Sequence, residues 1–314
     1  MAKKQSVIQL FGHSVIHLFN EICYVALWGI VKLHAMLPMS VLYLFADMLY
    51  FIIYKTARYR LKVVRQNLRQ SFPEKTDKER RALEKKFYHH FADYIVETIK
   101  LAHISQEELN RRARLNNPEI INPLVAKGHT CFILLMGHYG NWEWFTGSTA
   151  WFDHVKIYQI YRPLSNKVFD RLFIYLRTRF QGIGIKKQDT IRDIIRLKQS
   201  KERSLVIFIA DQTPNKSNLL YWTTFLNQES SILTGPERIA TKLDIPVIFV
   251  DVRKVKRGYY TADLEVLTDN PRQTPQYWIT EAYARKMEHS ILRDPAYWLW
   301  THKRWKHKRK IETE

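Results

Sequence analysis

The sequence predicts an α/β fold, a mixed sheet covered by helices, joined to an N-terminal membrane-associating helical region. Three observations predict it. From residue 130 onward, short and nearly continuous apolar runs alternate with helix-like stretches, the pattern of strands buried on both faces. Residues 55–104 instead carry their apolar residues at helical spacing. Residues 38–54, PMSVLYLFADMLYFIIY, are almost wholly apolar and run straight into Lys55, Arg58, Arg60, Lys62 and Arg65, as expected of a helix ending at an anionic leaflet. The expected division is therefore a helical region over 1–104 and an α/β domain with a basic aromatic tail over 105–314.

Taken in order, the N-terminal apolar stretches are interrupted by His13, His17 and Glu21, so no cleavable signal is expected. CYVALWGIVKLHAM is broken by Lys32 and His34. The 38–54 run falls short of the roughly 20 residues that cross hydrocarbon, and Asp47 sits inside it. It is expected to span the bilayer or to lie in its interface; two helices of a soluble core are the plainer alternative, and the basic flank weighs against them. FPEKTDKER supplies a turn, and Thr76 or Asp77 starts the long helix that follows. Beyond residue 130 the strands are CFILLMG, VKIYQIYRP, SLVIFIADQ and IPVIFVDVRK, and the helices between them NKVFDRLFIYLRTRF, TIRDIIRLKQS and GPERIATKL. YYTADLEVL reads as a strand at the sheet edge, and residues 275–293 as a closing helix.

Composition narrows the partners. The 314 residues are 46% hydrophobic, enough for a proper core, and the net charge of +20 calls for a polyanionic partner such as nucleic acid, anionic lipid or a phosphorylated substrate. Two cysteines, Cys23 and Cys131, both in apolar runs, argue against a disulfide framework. No Walker loop, G-x-G-x-x-G or Cys-x-x-Cys occurs, so nucleotide and structural zinc readings lack their physical requirements. His89 and Asp93 stand one helical turn apart but have no further ligand at metal spacing, and no metal is expected. The tail YWLWTHKRWKHKRK joins three tryptophans to eight Lys, Arg and His residues between His302 and Lys310. Such a tail could hold nucleic acid or sit among lipid headgroups; the apolar N-terminus favours lipid, and no nucleic acid partner is expected.

The chemistry concentrates in LLMGHYGNWEW. His138 and Glu143 are five positions apart; on one regular helix five steps turn about 500°, which leaves the side chains about 140° apart. If CFILLM is a strand, Gly137 to Gly140 a turn and Asn141 an N-cap, Glu143 rises from the first helical turn and a hydrogen bond to His138 becomes feasible. A carboxylate on one imidazole nitrogen would fix the tautomer and free the other nitrogen as a general base. The site would lie at a strand's C-terminal end, where open α/β sheets bind ligands. No G-x-S-x-G elbow is present, and TGSTA around Ser148 lacks the pattern, so the simplest nucleophile is a hydroxyl on the substrate. On spacing alone, a turn histidine with a helix-start charge fits equally well.

GHYGNWE resembles the H-x4-D/E motif of the glycerolipid and lipid A acyltransferase superfamily. RQNLRQSFPEK, YRPLSN, ADQTP and AYWLWTHKRWK resemble, in order, further blocks of its lipid A late acyltransferase branch, over residues 20–308. The resemblance implies His138 as the base, Glu143 as its orienting partner, and Arg162, Asn166, Asp211 and Gln212 lining the site. Without it, Arg162 reads as a surface ion pair and Asp211 as a cap or turn former. It implies transfer of an acyl chain from acyl carrier protein to a hydroxyl of a lipid A precursor, with no metal or diffusible cofactor. The implied place is the bacterial inner membrane, among its lipids, with the catalytic domain on the cytoplasmic side. The alternatives are another glycolipid or lysophospholipid acceptor, acylated from acyl-CoA, and a non-catalytic basic membrane adaptor or nucleic-acid binder. One departure concerns FLNQESSILTGPERIA, where Asn227 stands in a glycine position and puts acyl-chain or acceptor preference in question.

Overall fold

The strands and helices read from apolar periodicity form in the computed structural model of the protein, which describes residues 20–146, 151–152, 154–200 and 202–309. His13, His17, Ser148 and Lys310 lie outside the described residues. A first helix, α1 (20–36), stops before Pro38, which lacks a donor and disfavours helical geometry in the residue before it. Helix α2 (Met39–Tyr50) continues through a π-helical turn, Phe51–Thr56. Residues Met39–Thr56 are thus long and apolar enough, by length and composition, to cross a membrane. After α3 (Leu61–Ser71) comes α4 (Asp77–Lys100), capped as its sequence predicts: Thr76 Oγ1 accepts from Glu79 N–H, and Glu79 returns a bond to Thr76 N–H at 2.7 Å.

The α/β part then runs α5 (Gln106–Arg112), β1 (Ala113–Leu115), α6 (Asn122–Ala126), β2 (Cys131–Met136), α7 (Trp142–Thr146), β3 (Val155–Tyr161), α8 (Lys167–Thr178), β4 (Ile183–Lys186), α9 (Thr190–Gln199) and β5 (Arg203–Ile209). A hairpin of β6 (Trp222–Phe225) and β7 (Gln228–Ser231) follows, then α10 (Gly235–Leu243), β8 (Val247–Lys256), β9 (Tyr259–Thr268) and α11 (Trp278–Arg293). Among the described residues the main sheet has seven strands in the order β1-β9-β8-β2-β5-β3-β4. Parallel pairing holds everywhere except between β8 and β9. All six residues of the central β2 are buried, which is why CFILLM shows no alternation.

Two details differ from the expectation, the sheet edge and the tail, and the hairpin between them adds to it. YYTADLEVL is not the edge: β1 pairs outside it, Ala113 opposite Tyr260, and three residues are too few to show a period of two. The hairpin turns through Leu226 and Asn227 at φ of 50° and 60°, left-handed geometry that asparagine tolerates better than most residues. Asn227 in the glycine position therefore serves a turn. The tail, finally, does not lay its tryptophans on the surface. Trp298 and Trp300 are 2% and 0% exposed, because their N–H groups find internal acceptors in Asp211 and the Pro295 carbonyl and the rings can then be buried without loss. Arg304 is buried with them, while Lys303, Lys306, Lys308 and Arg309 keep contact with solvent.

One continuous core joins the helical and α/β parts, from Leu42 of α2 through Phe87 and Val96 of α4 to Ile133 of β2 and Ile291 of α11. Helix α4 is the centre of this packing, lying between α2 and the segment after α11.

Candidate active site

Strand register delivers the site. β2 and β5 are parallel with Met136 opposite Ile209, so continuing both chains by two residues brings His138 beside Asp211 at the carboxyl edge of the sheet. The glycines around His138 have separate reasons. A Cβ on Gly137 would run into the Met287 thioether, and Gly140 has φ +61° with a Cβ position only 3.0 Å from Val252 Cγ1. Asn141 caps α7 as expected, its Oδ1 accepting from Trp144 N–H at 3.3 Å.

The carboxylate that meets the histidine is Asp211, and the expected bond to Glu143 is not formed. His138 Nδ1 lies 2.6 Å from Asp211 Oδ1, and the His138 backbone N–H donates to Asp211 Oδ2 at 2.9 Å. Trp298 Nε1–H donates to the same Oδ2 at 2.7 Å. Burial works against the Asp211 charge, but His138 and these donors outweigh it and hold the carboxyl at about 2. A carboxylate so firmly ionised accepts the Nδ1 proton, which assigns the lone pair to Nε2. The Gln212 amide nitrogen lies 3.2 Å from that Nε2, and the Trp142 ring stands edge-on to the imidazole at 5.0 Å. The arrangement is an imidazole with one nitrogen held by a buried carboxylate and the other beside Gln212, in a side chain that keeps partial contact with solvent.

Glu143 is buried and its two oxygens are taken by Arg177, at 2.6 Å from Nη2 and 2.9 Å from Nε. Helix α7, which carries Glu143, thereby ties that side chain to Arg177 on α8. Asp211 and Gln212 stand on His138. Asn166 caps α8, accepting from Val168 and Phe169 N–H at 3.0 and 3.2 Å, and Arg162, exposed after β3, has no ion pair among the described residues. Those two share the carboxyl edge of the sheet but not the contacts of the imidazole.

Sequence reasoning missed what lies beneath the loop. His90 Nε2 is 3.2 Å from the Gly140 carbonyl, and Glu97 accepts from Asn141 Nδ2 at 2.8 Å and from Tyr260 and Tyr43 hydroxyls at 2.8 and 3.0 Å. The backbone carbonyl of Glu97 also accepts from Trp144 Nε1 at 3.0 Å. Asp93, between them on the same face, takes Lys254 and Arg257. His90, Asp93 and Glu97 recur at steps of three and four, a polar stripe that helical spacing could have revealed. The pair singled out by spacing, His89 and Asp93, is divided: His89 stacks on Tyr50 at 3.5 Å.

Two buried imidazoles give the fold an acid limit. Burial holds His90 well below its ordinary 6.5 and, against the pull of Asp211, holds His302 at about 4. Unfolding restores the ordinary value, so below pH 6.5 the unfolded chain binds protons that the native chain refuses. Stability is expected to be full above about pH 6.5 and to fall as pH drops toward 4. Thermal melts across that range should show the decline, and His302→Gln should flatten it; an unchanged slope would refute the assignment to His302.

The family model described as bacterial lipid A biosynthesis acyltransferase matches residues 11–307. No match was found among the curated proteins. The matched span takes in the His138 loop, the Asp211 loop and the buried tail that touches both, and the chain belongs to the bacterial lipid A biosynthesis acyltransferase family.

Proposed function

We propose that the protein transfers a fatty acyl chain from acyl carrier protein to a hydroxyl of a lipid A precursor, with His138 as general base. The observation that carries the reading is the His138–Asp211 pair, with Nδ1 held and Nε2 turned outward. A substrate hydroxyl would take the place of the Gln212 amide at Nε2. As its oxygen attacks the thioester carbonyl, the proton passes to Nε2; the imidazolium is stabilised by Asp211, and the tetrahedral intermediate expels the carrier thiol, which recovers the proton. Within the same reading, Glu143 supports the loop through Arg177 and does not orient the base directly.

Supporting observations lie around the pair. A small apolar recess is lined by Leu134, Met136, Phe145, Phe152, Ile157 and Ile207; Met136 lies two residues from His138, and an apolar lining suits the methylenes of an acyl chain. Helix α2 buries Met39, Leu42 and Ala46 against the protein and ties Asp47 to Arg257 at 2.6 Å. Its outer face and the turn that follows expose Leu44, Met48, Phe51 and Ile52. A helix packed lengthwise on the body, apolar outside and flanked by basic residues, suits the interface of the cytoplasmic leaflet of the inner membrane. The +20 charge suits both a phosphorylated lipid and an acidic carrier.

Detergent-solubilised protein incubated with a lipid A precursor and either acyl carrier protein bearing mixed chains or the matching acyl-CoA tests the reading by mass spectrometry. Gain of one acyl mass from the carrier arm is expected, and its size names the preferred chain. Gain from acyl-CoA alone would overturn the donor, and no gain from either with folded protein would overturn the reaction.

A further inference from the structure

After α11 the chain does not leave the molecule; it crosses the two loops that hold His138 and Asp211. Gly140 N–H donates to the Tyr297 carbonyl at 2.9 Å and Leu299 N–H to the His138 carbonyl at 3.1 Å, so that Tyr139 and Trp298 form an antiparallel bridge. Further along, Asn67 Nδ2 holds the Trp300 and His302 carbonyls, His302 Nε2 accepts from Thr213 N–H at 3.3 Å, and Arg304 donates to the Ser231 carbonyl. This strap is stitched to both sides of the site and to α3.

Within it, the Trp298 ring is fixed edge-on by Trp300 at 4.7 Å, Phe225 at 6.0 Å and Trp305 at 6.0 Å. Its one polar atom points at Asp211 Oδ2. An indole can only donate. With the His138 backbone N–H on the same oxygen, Oδ2 is filled by two donors, and a proton could settle there only by displacing one of them. The carboxylate is thereby kept as an acceptor for Nδ1–H.

We propose that Trp298 is a positioning residue of the reaction, its indole N–H holding Asp211 ionised and oriented so that His138 keeps Nε2 bare. The inference rests on the reading of His138 as base, but its physical content, a coupling between the indole and the histidine, can be measured without turnover. Loss of the donor leaves the Asp211 charge less dispersed, so the imidazolium is held more strongly and forms at higher pH.

The comparison is Trp298→Phe against Trp300→Phe, which removes an indole bond of the same strap to the Pro295 carbonyl and none to Asp211. Trp298→Phe is expected to lower kcat by about 10- to 100-fold, the worth of a hydrogen bond to a charged group, with KM unchanged. The acid limb of the rate profile should move to higher pH. The His138 imidazole resonance, identified by its loss in His138→Ala, should titrate with the same displacement. Trp300→Phe should lower Tm without either change. Equal behaviour of the two variants would overturn the proposal. If Trp298→Phe does not fold, the wild-type Trp298 indole proton decides: it should shift with the His138 midpoint and cease to do so in Asp211→Asn, and an indole signal indifferent to that midpoint overturns the proposal. Wild-type protein that transfers no acyl group would remove the acyltransferase reading while leaving the two resonance titrations to judge the coupling.

Discussion

Replacing Asp211 with Asn is expected to lower kcat by about 10³- to 10⁴-fold while the protein stays folded and binds its substrates. The reason lies in the donors around the carboxylate. Asp211 Oδ2 accepts from two N–H groups, of the His138 backbone and of Trp298, while Oδ1 faces His138 Nδ1. An asparagine must place its single oxygen toward the two fixed donors, which turns its NH₂ toward Nδ1. The imidazole can then only accept at Nδ1 and must carry its proton on Nε2, the atom that should receive one. The base is lost through the wrong tautomer with little loss of packing. His138→Ala removes the base itself and should cost at least as much. Single-turnover transfer rates at saturating substrate would measure both; an Asp211→Asn rate within about tenfold of wild type would exclude the carboxylate as the orienting partner.

Local spacing made the two loops legible but not their meeting. GHYGNWE after an apolar strand announced a turn with a histidine, and the start of α4 could be read from Thr76 and Glu79 because capping is a property of adjacent residues. Which carboxylate reaches the imidazole depends on the register of β2 against β5, strands with two other strands and three helices between them in the chain, and no local period encodes that register. Glu143 was the candidate nearest in sequence; Asp211 is nearest in space. The tail misled for a related reason. Tryptophans beside lysines suit a headgroup layer on composition, but Trp298 and Trp300 each have an acceptor inside the fold, and an acceptor brought from elsewhere in the chain, as Asp211 is, leaves no mark on the tail itself. The short β1, β4 and the β6–β7 hairpin were unread because three or four residues carry too little pattern.

Glu143→Ala is expected to act on stability more than on the base. Its side chain is 3% exposed and that of Arg177 26%; the two form a bidentate pair, the geometry in which an arginine holds a carboxylate most firmly. Removing the acid strands a largely buried guanidinium, at a cost of about 3–5 kcal/mol and a Tm loss on the order of 10 °C. Replacing both residues together, Glu143→Leu with Arg177→Leu, removes the stranded charge and should recover most of that loss, because exchanging a buried pair for apolar groups is often close to neutral. Activity per folded molecule should stay close to wild type in both variants, since neither residue hydrogen-bonds to His138 or Asp211. The opposite pattern, a large fall in kcat for Glu143→Ala at unchanged Tm that the double replacement fails to relieve, would return Glu143 to the chemistry. The two carboxylates thus separate by experiment: Asp211 through the rate at constant stability, Glu143 through stability at nearly constant rate, because one bonds the imidazole and the other bonds the arginine that fixes α7 to α8.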